Sequence, residues 1–149
     1  MIAWSCVAWN ALDRDALYDV LALRARVFVV EQTCAFNDID GVDRDALHLL
    51  GHDDGKLVAY ARILAPGRLH DHAVIGRVVV APEARSGGNG RTLMTEAIAR
   101  THAAFGPGPI HIGAQARLER FYGSLGFVMS GQEYDEDGIL HLPMTLGSV

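Results

Sequence analysis

The chain has 149 residues, of which 50% are hydrophobic and 21% charged, a balance that excludes a disordered chain. Thirteen Lys and Arg residues against eighteen Asp and Glu residues give a net charge of −5, which argues against a general nucleic-acid binder. Two cysteines cannot build a disulfide framework and lack the spacing of a metal site, so we assign no metal. No apolar run approaches the ~18 residues of a membrane span. These features predict one cytoplasmic domain over residues 1–149, with no membrane or nucleic-acid partner.

Hydrophobic periodicity and turn residues predict alternating strands and helices. Four aspartates around Gly41 indicate a solvated loop between the first helix and the second strand. Asp137-Gly138 and Asp53-Asp54-Gly55 are typical of hairpin turns. The predicted elements are a strand over 2–9, a helix over 13–29, a loop over 31–45, strands over 46–52, 56–64 and 74–80, a helix after 90, a strand over 110–114, a helix over 116–125, and a hairpin of 128–136 and 139–146. This order predicts an α/β (or α+β) fold.

The segment 85–90 carries the most specific chemistry. Glycines at 87, 88 and 90 leave backbone N–H groups unshielded where a helix begins, and such amides bind anions together with the helix dipole. Arg85 adds a cation at the rim. A Walker loop would need Lys after Gly90, where Arg91 stands, and a dinucleotide fingerprint would need a small residue in place of Leu93. The loop therefore predicts a pyrophosphate site whose ligand is something other than ATP or NAD. The alternative interpretation is an ordinary glycine-rich turn.

Two motifs together resemble those of a known superfamily. Residues 85–90, which follow a strand, resemble the acetyl-CoA loop of the GNAT superfamily of N-acetyltransferases. The stretch from 114–116 through 121–127 resembles its second signature, with Tyr122 four residues before Gly126. The order of elements agrees over nearly the whole chain. Shorter runs resemble the ElaA-like branch in particular: 23–24, 27–32, Cys34, 40–41, Asp43, 57–62, 75–78, 113–116, and 137–139 with His141. The sequence departs from the family loop at Ser86 and Asn89, where a glycine and an aliphatic residue are common.

The resemblance implies a GNAT-like acyl-CoA N-acyltransferase fold: a mixed central sheet of about seven strands, splayed between the fourth and fifth and flanked by helices. It also implies acetyl-CoA as the acyl donor, with the pantetheine arm between the splayed strands and the pyrophosphate on the loop amides. The residues so implied for the donor are Val78, Val79 and Val80 along the arm, Arg85, Ser86, Gly87, Gly88, Asn89, Gly90 and Arg91 at the pyrophosphate, and Gln115 and Tyr122 beside the thioester.

The same mapping assigns the proton transfers. Tyr122 corresponds to the family's general acid, because a departing thiolate needs a proton and a phenol can supply one. Glu31 is the first candidate base, with a helix-terminal surface carboxylate as the alternative, and Asp40 is the second. His141 is a candidate proton relay. The alternative for His141, and also for His111, is a purely structural role. The implied acceptor-binding residues are Phe28, Glu31, Gln32, Asp40 and His141.

The sequence therefore predicts an N-acetyltransferase that moves an acetyl group from acetyl-CoA directly to a small amine or a peptide amine. A non-catalytic acyl-CoA sensor or partner module is the alternative. The identity of the acceptor stays open, and so does the oligomeric state, for which a homodimer is one option. Cys34 has no evident base beside it and is interpreted as a structural thiol.

Overall fold

The computed structural model describes residues 1–147, so positions 148 and 149 of the predicted domain lie outside the described residues. The strands are β1 (Ile2–Ala8), β2 (Leu47–Asp53), β3 (Lys56–Leu64), β4 (Ala73–Val80), β5 (Ile110–Gln115), β6 (Phe127–Met129), β7 (Tyr134–Glu136) and β8 (Ile139–Leu146). The helices are α1 (Arg14–Arg24), α2 (Asn89–Phe105) and α3 (Glu119–Ser124), with a π-helical turn at Ala25–Glu31 and short 3-10 turns at Trp9–Ala11, Asp43–Asp45, Pro82–Ala84 and Ala116–Leu118.

All these strands belong to one mixed sheet in the order β1-β2-β3-β4-β5-β8-β6, and β7 also pairs with β8. The β4–β5 pair is parallel, and its register covers only Ala73 with Ile110 and Val74 with His111. Beyond Val74 the two strands diverge, whereas the antiparallel pairs on either side continue. The predicted mixed sheet, splayed between its fourth and fifth strands and flanked by helices, is confirmed.

The sheet has eight strands in the described part of the chain, one more than the predicted count of about seven. The predicted strand over 128–136 is wrong as one element, because β6 ends at Met129 and β7 begins only at Tyr134. Opposite the break lies Pro143 of β8, which has no N–H to donate to a ladder. Its carbonyl accepts from Ser130 N at 2.8 Å, and its ring lies 3.0 Å from where a Cβ of Gly131 would stand.

The sequence predicts a single regular first helix, but the structure has an α-helix that continues as a π-helical turn. Asp13 caps α1, with its carboxylate accepting from Ala16 N at 2.7 Å. After Arg24 the chain widens into the π-helical turn, in which Gln32 N donates to Val27 O at 3.1 Å. Such turns are rare and frequently lie at functional sites. Here the turn carries the helical path to Glu31, two residues beyond the predicted end.

Helices cover both faces of the sheet. The face under α2 and α3 buries Leu93, Met94, Ala97 and Tyr122 against strand residues such as Ile112. The face under α1 buries its own set: Val20, Leu23, Val27, Leu50, Leu57, Val58, Tyr60, Val79 and Ala81. Both packed faces include residues of β3 and β4, which anchors β4 while β5 moves away from it.

The acidic loop after α1 is held inward by an ionic network. Arg24, which is 0% exposed, donates to Asp38 Oδ2 at 2.9 Å and to Asp43 Oδ1 at 2.7 Å. Arg62 of β3 donates to Asp40 at 2.9 Å and to Asp43 at 3.0 Å. The prediction of a solvated loop is wrong at Asp38 and Asp43, which are buried, because arginines buried beneath them need counter-charges.

We expect Arg24→Met to lower the free energy of unfolding by about 3–5 kcal/mol, because it leaves Asp38, Asp40 and Asp43 with two arginines and so one buried negative charge uncompensated. Arg26→Met is the matched control: Arg26 is 50% exposed and pairs with Glu83 at the surface. Its loss should cost far less, because exposed ion pairs contribute little to stability. Urea unfolding at pH 7 measures both, and equal losses would contradict the assignment of the network to the buried core.

Candidate active site

A cavity of about 610 Å³ opens where β4 and β5 diverge. One part, the loop side, is lined by Val80, Arg85, Gly90, Phe121 and Tyr122, and the other, the hairpin side, is lined by Phe36, Tyr134, Glu136, Ile139 and His141. The predicted site residues among its lining are Phe28, Glu31, Gln32, Val78, Val79, Val80, Arg85, Gly90, Gln115, Tyr122 and His141. Ser86, Gly87, Gly88 and Asn89 connect the two lining residues Arg85 and Gly90 and do not line the cavity themselves, nor does Arg91.

The glycine loop presents bare backbone in front of α2. Gly87 and Gly88 have φ of 73° and 78°, and no other atom lies within 4 Å of where their Cβ atoms would stand. Asn89 Nδ2 donates to Ala84 O at 2.9 Å, so the residue that departs from the family pattern ties the loop to the preceding turn. Open backbone at positive φ, next to the free amides of a 17-residue helix, fits a phosphate group.

Arg85 is fully engaged at the end of β4. Its Nη1 and Nη2 donate to the two carboxylate oxygens of Glu31 at 2.7 and 2.9 Å, and its Nε donates to Val80 O at 3.1 Å. Hydrogen bonding from Arg85 lowers the pKa of Glu31. The candidate base is therefore in direct contact with a candidate pyrophosphate ligand.

Tyr122 lies on α3 with 7% of its surface exposed. Its ring meets Phe121 and Phe127 edge to face at 5.1 and 6.0 Å, which fixes the ring plane. Burial raises its pKa to about 12, against the opposing charge of Arg117. The phenol is thus protonated at neutral pH and lines the cavity, as a proton donor must.

A bulge in β4 shapes the cavity wall. Tyr60 pairs with Val79 and Arg62 with Gly76, so two residues of β4, Arg77 and Val78, oppose one residue of β3. Arg77 has φ of 49°, a conformation that non-glycine residues seldom adopt. Its guanidinium donates to Asp38 Oδ1 at 2.8 Å, which ties the strained position to the buried network. Bulges of this kind are common next to active sites.

Contacts across the hairpin side join segments far apart in the chain. Gln115 Nε2 of β5 donates to Gln32 Oε1 at 3.2 Å, which links a predicted donor residue to a predicted acceptor residue. Cys34 Sγ donates to the backbone oxygen of Asp137 at 3.3 Å, between the acidic loop and the last hairpin. The thiol is buried and already bonded, which agrees with a structural role.

His141 and Tyr134 form one wall of the hairpin side. Their rings stack at 5.7 Å, and His141 Nδ1 lies 2.7 Å from Ile139 O, an acceptor that holds the proton on Nδ1. The hydroxyl of Tyr134 lies 2.5 Å from where a Cβ of Gly113 would stand. Glycine at 113 therefore makes room for this phenol over the divergent part of β5.

Asp40 is not brought to the cavity with the other predicted acceptor residues. Arg62 donates to both of its carboxylate oxygens at 2.9 Å, and Arg77 donates to Oδ2 at 3.2 Å. Burial opposes its ionisation, but the hydrogen bonds from Arg62 and the backbone prevail and hold its pKa at about 2. The carboxylate is a counter-charge with both oxygens occupied.

The structure adds lining residues that sequence reasoning missed: Phe36, Leu69, His70, Arg77, Arg117 and Tyr134. None belongs to the donor loop, but Arg117 lies within the stretch that resembles the Tyr122 signature and Arg77 lies in one of the short runs that resemble the ElaA-like branch, so both could have been found. The others come from loops or from the interrupted hairpin arm, whose side-chain directions periodicity does not determine.

Among residues 1–147 no three His, Cys, Asp or Glu side chains are grouped so that they could hold a metal ion. Each helix within that range is too short or too polar to cross a bilayer.

A family model described as an acetyltransferase (GNAT) domain matches residues 21–148. Protein ElaA of Escherichia coli K12 is 42% identical over 146 residues, covering 97% of this chain and 95% of that protein. The crystal structure of E. coli ElaA superimposes with a TM-score of 0.92 at 40% identity, over 99% of this chain and 100% of the other. An acyl-CoA N-acyltransferase from Pseudomonas aeruginosa gives 0.93 at 40% identity, with the same coverage.

The histidines at the closed end of the cavity generate a pH prediction. His111 stacks on His70 at 4.0 Å with 2° between the rings, and burial, with His70 and His72 nearby, lowers its pKa to about 4. Because the unfolded chain binds this proton near pH 6.5, stability present above 6.5 is lost as the pH falls towards 4.

Urea unfolding at pH 7 and pH 5 measures how much unfolding free energy is lost between the two pH values. The loss should be smaller for His111→Phe than for the wild type, by at least a few tenths of a kcal/mol. Phenylalanine keeps a ring against His70 and cannot take up the proton. Equal losses of unfolding free energy in the variant and in the wild type would contradict the burial of a neutral His111.

Proposed function

The chain belongs to the GNAT family of acetyltransferases, in its ElaA-like branch, and from that membership we propose that it transfers an acetyl group from acetyl-CoA to a primary amine. Family and fold make it an acyl-CoA-dependent acyltransferase; the acetyl group and the amine are the proposal. The observation that supports it best is one cavity whose lining includes Arg85 and Gly90 of the glycine loop together with Tyr122 and Glu31. We expect the reaction in the cytoplasm, where acetyl-CoA is available.

Residues of the loop side would hold the donor. The amides from Ser86 to Arg91 and the Arg85 guanidinium would bind the pyrophosphate, and the backbone of Val78, Val79 and Val80 would pair with the pantetheine arm. Support comes from the short β4–β5 register, which leaves the side of β4 facing β5 without a strand partner beyond Val74 among the described residues. Acetyl-CoA supplies a thioester, whose carbonyl these backbone groups would polarise.

Two side chains would carry the proton transfers of a direct transfer. The amine nitrogen bonds to the thioester carbon and the carbon–sulfur bond breaks. Tyr122 gives its phenolic proton to the departing sulfur. Glu31 accepts the proton that the amine loses, which its carboxylate can do only when Arg85 no longer occupies both oxygens. A raised acid and a lowered carboxylate in one cavity are the usual arrangement for such a pair.

The hairpin side would receive the acceptor. Phe28, Gln32 and His141 line the same cavity as Glu31 and would contact the acceptor, and Gln115 would orient the donor from β5. Asp40 enters the proposal only as the residue that holds the acidic loop through Arg62 and Arg77. We expect a small amine or a peptide amine as the acceptor.

The test is release of CoA from acetyl-CoA in the presence of a panel of small primary amines and of peptides with free N-termini or lysines. Amine-dependent release, with a product heavier by one acetyl group, supports the proposal. Stabilisation by acetyl-CoA without release for any amine would favour a non-catalytic acyl-CoA sensor instead.

Gly88 tests the pyrophosphate cradle. Acetyl-CoA at about one hundred times its Kd should stabilise the wild type by about 2.7 kcal/mol. Gly88→Asp should abolish the rise in melting temperature, because it puts a carboxylate beside the pyrophosphate. Gly88→Asn is the control: asparagine has nearly the same shape, tolerates the φ of 78° found there and carries no charge, so it should keep most of the rise. Equal rises in both variants would contradict the cradle.

Tyr122→Phe tests the general acid. It deletes one hydroxyl and keeps the packing against Phe121 and Phe127, so the affinity for acetyl-CoA should change little. Turnover with an amine from the panel should fall by roughly 10²–10⁴-fold, with kcat and kcat/KM falling together. A variant that keeps more than about half of the wild-type rate would exclude the hydroxyl as the proton donor.

A further inference from the structure

The contact between Arg85 and Glu31 joins the two sides of the cavity. Arg85 begins the glycine loop, and Glu31 ends the π-helical turn that extends α1. The two nitrogens of the guanidinium fork meet the two carboxylate oxygens at 2.7 and 2.9 Å. The third nitrogen, Nε, is held at 3.1 Å by Val80 O, the last carbonyl of β4. Every nitrogen of Arg85 is thereby bonded within the protein.

A carboxylate and a phosphate offer a guanidinium fork the same pair of oxygens in the same plane. The carboxylate of Glu31 therefore occupies the position on Arg85 that two phosphate oxygens would take. The Val80 bond uses a different nitrogen, so it can persist while the fork changes partner. Both side chains of the pair are about two-fifths exposed, at 42% and 40%, which leaves room for the exchange.

We propose that Glu31 competes with the pyrophosphate of the acyl-CoA for the guanidinium fork of Arg85, so that donor binding releases the Glu31 carboxylate to the acceptor side. This rests on the proposed pyrophosphate role of the glycine loop. Glu31 is in this sense a negative determinant of donor affinity, a role that neither a surface carboxylate nor a base alone would have.

The exchange also sets an order of binding. Since coupling between two ligands is reciprocal, an amine that needs the free carboxylate binds more tightly after the acyl-CoA has bound. Without the donor, Arg85 holds both Glu31 oxygens and no base faces the acceptor. Arg26 does not replace Arg85 at Glu31, because it is held by Glu83 at 2.8 and 3.2 Å.

Calorimetric titration with acetyl-CoA, in low salt and without any amine, tests the exchange on the whole protein. Glu31→Gln keeps the shape of the side chain and removes its charge, so it should tighten acetyl-CoA binding by about two- to fivefold, the strength of an exposed ion pair. Arg85→Gln should weaken binding. In the Arg85→Gln background, Glu31→Gln should leave the Kd unchanged, because nothing is left to compete for.

Glu96→Gln is the matched control. It removes the same charge from α2, the helix that follows the glycine loop, and its carboxylate pairs with Arg100 rather than with a partner of Glu31. Its Kd should equal that of the wild type. If a general loss of negative charge were the cause, Glu96→Gln would tighten binding as well, and Glu31→Gln would still tighten it in the Arg85→Gln background.

Two results would overturn the exchange alone: an unchanged Kd for Glu31→Gln, or equal tightening with and without Arg85. A wild-type protein that does not bind acetyl-CoA would overturn the proposed function and the exchange together. The pattern expected is tightening that depends on Arg85 and is absent from the Glu96 control.

Discussion

The separation of β4 from β5 is the constraint on which the rest of the molecule depends. Two parallel strands that pair at only two positions leave backbone groups without partners, and buried groups of that kind are costly. The bulge at Arg77 and Val78 lies in the part of β4 that has left β5, while the ladders of β4 with β3 and of β5 with β8 continue on either side. The unpaired edges of the two strands therefore lie where the amide groups of a pantetheine arm could supply partners.

The gap between β4 and β5 can persist only if the structure around it is rigid. On the side of α1 that rigidity comes from the ionic network of the acidic loop. Arginines from three elements, Arg24, Arg62 and Arg77, meet carboxylates of one loop, and the charges balance. A buried network of this kind adds little net stability compared with an apolar core, but any other arrangement of its loop would leave charges unpaired. The network therefore fixes the acidic loop in one conformation. It also holds Arg77 at its strained φ beside the cavity.

The features that the sequence predicts well are those with local causes. Periodicity located most elements, and Arg85 and Gly90 of the glycine loop line the cavity together with Tyr122. The burial of Asp38 and Asp43 was not predictable in this way, because it depends on arginines distant in the chain. The break before Tyr134 depends on Pro143 in another strand, and the pairing of Glu31 with Arg85 on a π-helical turn that hydrophobic spacing does not reveal. Local patterns predicted the parts of the site, while long-range charge pairing decides how they are connected.

The electrostatics of the cavity distinguish the proposed acid, Tyr122, from the proposed base, Glu31. Burial raises the pKa of the Tyr122 phenol to about 12, so in the proposed transfer the proton for the leaving group is in place before the donor binds. The Glu31 carboxylate has the opposite character: its pKa is lowered, both of its oxygens are bonded to Arg85, and its availability depends on that pairing. Under the proposed exchange, an acid that is ready and a base that must be released would give an order of binding in which the donor comes first. One arginine, placed between the glycine loop and the carboxylate, would be enough to set that order.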